Sequence, residues 1–271
     1  MEKNNLPAGS SDVDQLKKYA TDFTEVYKSE KEKRKGLEAT NQQLVKFADD
    51  LNKTMLELHE AYIDTIHRLV LAAEYKDEDT GDHIVRMSRY AALIAEKLGL
   101  PDRDVRNILY VAPMHDIGKV GIPDSILMKP GKLTDEEFGI IETHTTIGAK
   151  ILADSKAEIL KIAEQIALSH HEKWNGKGYP QGLAGDSIPL TARIVGLADV
   201  FDALTSKRPY KDPFPVEVAL DIIRKEREEH FDPDVADVFF ENIDEILNIK
   251  EEVSSEQNVS LSGTIHNFRA R

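Results

Sequence analysis

The chain has 271 residues, 41% of them hydrophobic, with no cysteine and a formal net charge of −14. That length suits one core-bearing domain of about 200 residues plus an additional segment, and the missing cysteines exclude disulfides, thiolate metal sites and a cysteine nucleophile. The negative charge argues against a nucleic-acid polymer wrapped over the surface, so any phosphate chemistry must sit in a pocket where cations gather locally.

The opening MEKNNLPAGSSDVDQ lacks the apolar core of a signal peptide. No run approaches the roughly 18 apolar residues of a membrane span, so a cytoplasmic protein is expected. From about Asp12 to Tyr75 there is no proline and a single glycine, Gly36, which predicts a long helix. Leu37, Leu44, Leu51 and Leu58 recur every seven residues, with Asn41, Ala48, Met55 and Tyr62 four positions further on. This is the pattern of a short coiled-coil seam, with Leu at d and one polar Asn at a of the kind that fixes register in parallel dimers. An amphipathic helix packed on its own domain would give a similar pattern. A parallel homodimer through residues 1–61 is the expectation.

From His83 onward the predicted helices are shorter and capped. Thr134 with Glu137, and Ser155 with Glu158, have capping-box spacing. Gly99 followed by Pro101 ends one helix, and Pro189 precedes another, TARIVGLADVFDALTS. The stretch PVEVALDIIRKEREEHFDPDVADVFFENIDEILNI predicts two helices split by Asp232 and Pro233, and the polar tail has no period. The expected fold is all-α, with an N-terminal helical segment 1–61, a helical domain 62–250 and a disordered tail 251–271.

Of the nine histidines, His83, His115, His144, His170 and His171 lie in the helical region near conspicuous acids. His115 and Asp116 follow the apolar run ILYVAPM, where an unpaired charge is costly and coordination of a cation removes that cost. Imidazole nitrogen mixed with carboxylate oxygen suits divalent iron, manganese, zinc or nickel better than calcium or magnesium. Asp116 has two oxygens and can bridge two metals, which would share a hydroxide and polarise a phosphoryl oxygen. Asp199, in GLADVFDAL, is a further acid on an otherwise apolar helix face.

The order His83, HDIGK, THTTIG around His144, SHHEKWNGKGYP and ADVFDALTSKRPYK resembles the HD-GYP family, a branch of the HD metal-dependent phosphohydrolases. The blocks run from about Asp77 to Lys211, and the family name is spelled by His115 with Asp116 and by Gly178, Tyr179 and Pro180. The resemblance implies an HD-type helical bundle with a two- or three-metal centre, often iron or manganese. It implies hydrolysis of cyclic di-GMP to linear pGpG, with GMP as a further product, through attack by a metal-bridging hydroxide. It also carries over His83, His115, Asp116, His144, His170, His171 and Asp199 as metal ligands, with Asp116 as the bridge and Lys119 beside the scissile phosphate. Asp79 stands where some members place a Glu for a third metal; two metals are expected. Arg208 and Lys211 would contact the dinucleotide, Tyr179 would stack or hydrogen-bond near it, and the GYP loop is in several relatives a surface for signalling partners. The alternatives are a cyclic di-GMP receptor without useful catalysis, and an HD phosphohydrolase acting on another nucleotide such as cyclic GMP-AMP.

Overall fold

The computed structural model describes residues 10–74, 76, 81–207 and 212–255. The chain divides into two units, Met1–Ala61 and Tyr62–Arg271. Helix α1 (Ser10–Glu74) is unbroken, as its lack of interior proline allows, and within the first unit its described side chains, up to Ala61, are all exposed. The seam leucines are among them, Leu37 at 69% and Leu44 at 59% exposure.

The second unit is an all-helical core. The last turns of α1 bury Ile63, Ile66, Val70 and Ala73, the spacing of one helix face. Then come α2 (Gly81–Lys97), α3 (Asp102–Val111), a 3₁₀ helix Ala112–Gly121, the single turn α4 (Asp124–Leu127), α5 (Asp135–Leu152), α6 (Glu158–Ser169), α7 (Leu190–Thr205), α8 (Val216–Lys225), α9 (Pro233–Glu241) and α10 (Ile243–Ser255). Helices α2 and α7 bury residues nearly all round, including Ile84, Met87, Tyr90, Ile194, Leu197 and Phe201. Tyr90 meets Phe201 edge to face at 5.5 Å, and Phe201 meets Phe239 of α9 at 5.1 Å. Among the described residues there is no β-strand, only two isolated bridges.

The punctuation read from sequence holds in most places. Gly99 ends α2 with φ +79°, Pro189 precedes α7, and Thr134 with Glu137 forms a full capping box at α5. Two readings are corrected. Ser155 makes no capping box, because α6 starts only at Glu158 and the Ser155 hydroxyl accepts from Ala157 N instead. The C-terminal stretch holds three helices rather than two, with a second break at Asn242, whose side chain donates to the Val238 carbonyl and ends α9. Helix α10 continues past Lys250 to Ser255, and residues 256–271 of the expected tail lie outside the described residues.

Candidate metal centre

The HDIGK segment lies in the 3₁₀ helix Ala112–Gly121, where tighter winding than an α-helix carries His115 and Asp116 into the interior. Gly118 makes that path possible: a Cβ there would lie 1.9 Å from the carbonyl oxygen of His144 on α5. Gly196 of α7 plays the same part beside His170, where a Cβ would stand 2.6 Å from that residue's carbonyl oxygen. The glycines thus let the 3₁₀ helix approach α5, and α7 approach the segment at His170, closely enough for their metal-ligating side chains to meet.

Two groups of side chains result. Asp116, His144, His170 and His171 bring one ligand atom each within 4.8 Å of one another, and His83, His115 and Asp199 do the same. Asp116 joins them: its Oδ2 is 3.2 Å from His115 Nε2, and its Oδ1 is 3.2 Å from His144 Nε2 and 3.6 Å from His170 Nε2. Asp199 Oδ1 is 3.7 Å from His83 Nε2 and 3.9 Å from His115 Nε2. All seven residues expected as ligands therefore converge.

The outer nitrogens set the tautomers. His115 Nδ1 donates to the Ala112 carbonyl at 2.9 Å, His144 Nδ1 to Ile141 at 2.7 Å, and His170 Nδ1 to Ile166 at 3.0 Å. His83 Nδ1 donates to Asp202 at 2.8 Å. With the proton on Nδ1, each Nε2 presents a bare lone pair inward, an assignment made from the hydrogen-bond network. Lone pairs then face lone pairs: His144 Nε2 and His170 Nε2 are 3.4 Å apart. Among the described residues Asp116 Oδ1 is buried with no hydrogen bond. Such a set of converging acceptors is repulsive unless cations sit between them, so the residues fit divalent metals.

The charge balance agrees. Burial works to raise the Asp116 carboxyl, but the charge of His115, which takes a proton on its inward nitrogen where no cation occupies the lone pair, and that of Lys119 outweigh it and hold the group well below the usual carboxylate range. Lys119 Nζ is 2.8 Å from Asp116 Oδ2 at the mouth of the site. Burial pushes His170 down, and His171 far down, so both imidazoles stay neutral at physiological pH.

The GYP loop closes over this group. The Tyr179 ring lies 4.8 Å from the His171 ring at a 30° tilt, and burial raises its phenol. Gly178 has no room for a side chain, since a Cβ would fall 2.3 Å from Lys173 N. Asp79, Arg208 and Lys211 lie outside the described residues. Sequence reasoning missed three contributors. Asp202 backs His83 and pairs with Arg86, while Glu172 accepts from Gln181 N at 2.8 Å and Leu183 N at 2.9 Å to hold the loop. The sequence signal was an acid one helical turn after Asp199, and an acid directly after the paired histidines.

A family model described as HD domain matches residues 50–235. The "Cyclic di-GMP phosphodiesterase response regulator RpfG" of Xanthomonas campestris pv. campestris is 44% identical over 204 residues, covering 75% of this chain and 54% of that protein. The "3'3'-cGAMP-specific phosphodiesterase 2" of Vibrio cholerae is 41% identical over 196 residues, covering 72% and 38%. The chain thus spans about half the length, or less, of these curated relatives. A solved structure of the cyclic GMP-AMP specific phosphodiesterase V-cGAP3 from V. cholerae has the same fold, with TM-score 0.55 and 20% identity over 76% of this chain and 53% of that one. The buried His115–Asp116 pair, the helical core around it and the matched family model together place this chain in the HD domain family, whose members bind divalent metal.

Proposed function

We propose that this chain is a metal-dependent phosphodiesterase that hydrolyses a cyclic dinucleotide, with cyclic di-GMP as the substrate. The observation that carries this reading is the pair of clusters joined by one carboxylate, Asp116. The name of the relative at 44% identity points to cyclic di-GMP. The name of the one at 41% identity makes cyclic GMP-AMP the second substrate to try.

His83, His115, Asp199 and one oxygen of Asp116 would hold one cation; His144, His170, His171 and the other oxygen would hold a second, with iron or manganese the fitting metals. When bound, two such ions lower the pKa of water and neutralise charge on a phosphoryl group. The protein's own groups supply the rest. Asp116, held ionised, stays an acceptor to both clusters at neutral pH. The neutral imidazoles keep their lone pairs for coordination rather than protons. Lys119, 15% exposed by its side chain, carries a positive charge at the opening, where it can stabilise a phosphoryl oxygen as charge builds there. Tyr179 walls the His171 side and offers a flat face to a base. Arg208 and Lys211 are assigned to the dinucleotide on residue type, a guanidinium fork and a compact ammonium. Asp79 is the candidate ligand for a third metal.

We assign catalysis to residues 62–250, dimerisation to the helix before them and partner docking to the GYP loop. No described helix is long and apolar enough to cross a membrane. A pure receptor role is disfavoured, because all seven expected ligands converge. Replacing His115→Ala and Asp116→Ala together is expected to remove bound metal and turnover at once. A double variant that kept both would refute the assignment.

A further inference from the structure

The two clusters differ in what stands behind their imidazoles. His115, His144 and His170 each donate through Nδ1 to a backbone carbonyl three or four residues earlier in the same segment. His83 donates instead to a carboxylate from another helix, Asp202 Oδ2, at 2.8 Å and 119 residues away in sequence.

That carboxylate is itself clamped. Arg86, one turn along α2 from His83, places Nε 2.6 Å from Asp202 Oδ1 and Nη2 2.9 Å from Oδ2. The same Nη2 donates to the Ser206 hydroxyl at 2.9 Å, and that hydroxyl donates on to Asp202 Oδ2 at 3.1 Å. Asp202 is fully buried and accepts from every neighbour. A carboxylate that must accept from Arg86 and Ser206 leaves His83 Nδ1 only the donor role, and the His83 lone pair is therefore fixed on Nε2, facing His115 and Asp199.

We propose that Asp202, held by Arg86 and Ser206, is a positioning residue that fixes the tautomer and orientation of His83 and so sets cation affinity at the His83–His115–Asp199 cluster alone. A carboxylate behind a ligating imidazole orients the ring and makes its lone pair more basic, which a backbone carbonyl does more weakly. The other cluster has no such carboxylate behind His144 or His170 and does not depend on Asp202. This rests on reading the two clusters as cation sites.

The test is Mn²⁺ titration of the metal-free 271-residue chain, comparing wild type with Asp202→Asn and His171→Ala. The amide in Asp202→Asn keeps the shape. With its oxygen held by Arg86 Nε, its N–H₂ faces His83 and drives the proton to Nε2. The expected result is that one class of Mn²⁺ weakens by roughly 10- to 100-fold in Asp202→Asn while the other class, the one lost in His171→Ala, is unchanged. Equal weakening of both classes, or of neither, would overturn the role of Asp202 while leaving the cation sites standing. A wild type that binds no Mn²⁺ would overturn the cation sites and the inference with them. Should Asp202→Asn fail to fold, imidazole ¹⁵N spectra of the wild-type metal-free chain decide, with His83 assigned by its loss in His83→Gln. The Nδ1–H form is expected, and an Nε2–H form refutes the proposal.

Discussion

Single atoms decide whether this site can form. A Cβ on Gly118 would sit 1.9 Å from the His144 carbonyl oxygen and 2.5 Å from Gly148 N, both backbone atoms that cannot swing aside. Gly118→Ala is therefore expected to cost at least the 1–3 kcal/mol typical of overpacking, about that much or more in an unfolding titration, and to lower metal content with it. An unchanged midpoint and full metal loading would contradict the close approach. His230 offers a test by pH. Burial, then the charge of Lys173, pushes it down to about 4 from an ordinary 6.5. The unfolded chain then binds the proton more readily, so the stability that neutral His230 contributes is present above pH 6.5 and is lost as pH falls toward 4. Over that window the wild-type melting temperature should fall more steeply than that of His230→Gln; equal slopes would show that the half-buried His230 imidazole is not desolvated enough to resist protonation.

Among the elements, the loop after α6 depends most on a single side chain. Glu172 is buried, and its two oxygens accept from Gln181 N and Leu183 N, which folds the GYP turn back over His171. Glu172→Ala strands two backbone donors that now meet a charged acceptor, a loss of about 3 kcal/mol. It should also open residues 176–183 to limited proteolysis, and a variant as resistant as wild type would contradict the role. The legibility of the sequence divides along the same line. His115 with Asp116, the pair His170 and His171, and Asp199 could be picked out because such donors beside apolar runs have few other uses, whereas His83 and His144 join them as ligands only through the resemblance to the HD-GYP family. Thr134 with Glu137 could be picked out because a capping box is local. Asp202 and Glu172 could not, since what makes them matter is a partner reached only through the fold: His83 is 119 residues from Asp202, and the Glu172 contacts need a particular turn. The missed break at Asn242 has a similar origin, as the residue resembles an ordinary polar helix position until its side-chain amide is seen donating to the Val238 carbonyl at the end of α9. The false capping box at Ser155 shows the converse, a local signal overruled by where α6 begins.

At the scale of the molecule, α1 carries a stripe of exposed leucines, with Leu51 and Leu58 at 50% and 70% exposure. Such surface on an otherwise charged helix is costly in water and is covered when two copies pair along it. Light scattering should give a dimer, and Leu44→Lys with Leu51→Lys should give a monomer; a wild type that stays monomeric at high concentration would remove the coiled-coil argument. The catalytic account does not depend on that outcome. Its central claim is that seven imidazole and carboxyl groups hold cations that let water open a cyclic dinucleotide. The most direct measurement is to purify the chain without oxygen, load it with Fe²⁺ or Mn²⁺, count the metal, and follow cyclic di-GMP by chromatography. The account predicts linear pGpG, with GMP as a later product, and none once a chelator strips the metal. Intact nucleotide beside a fully loaded protein would contradict it.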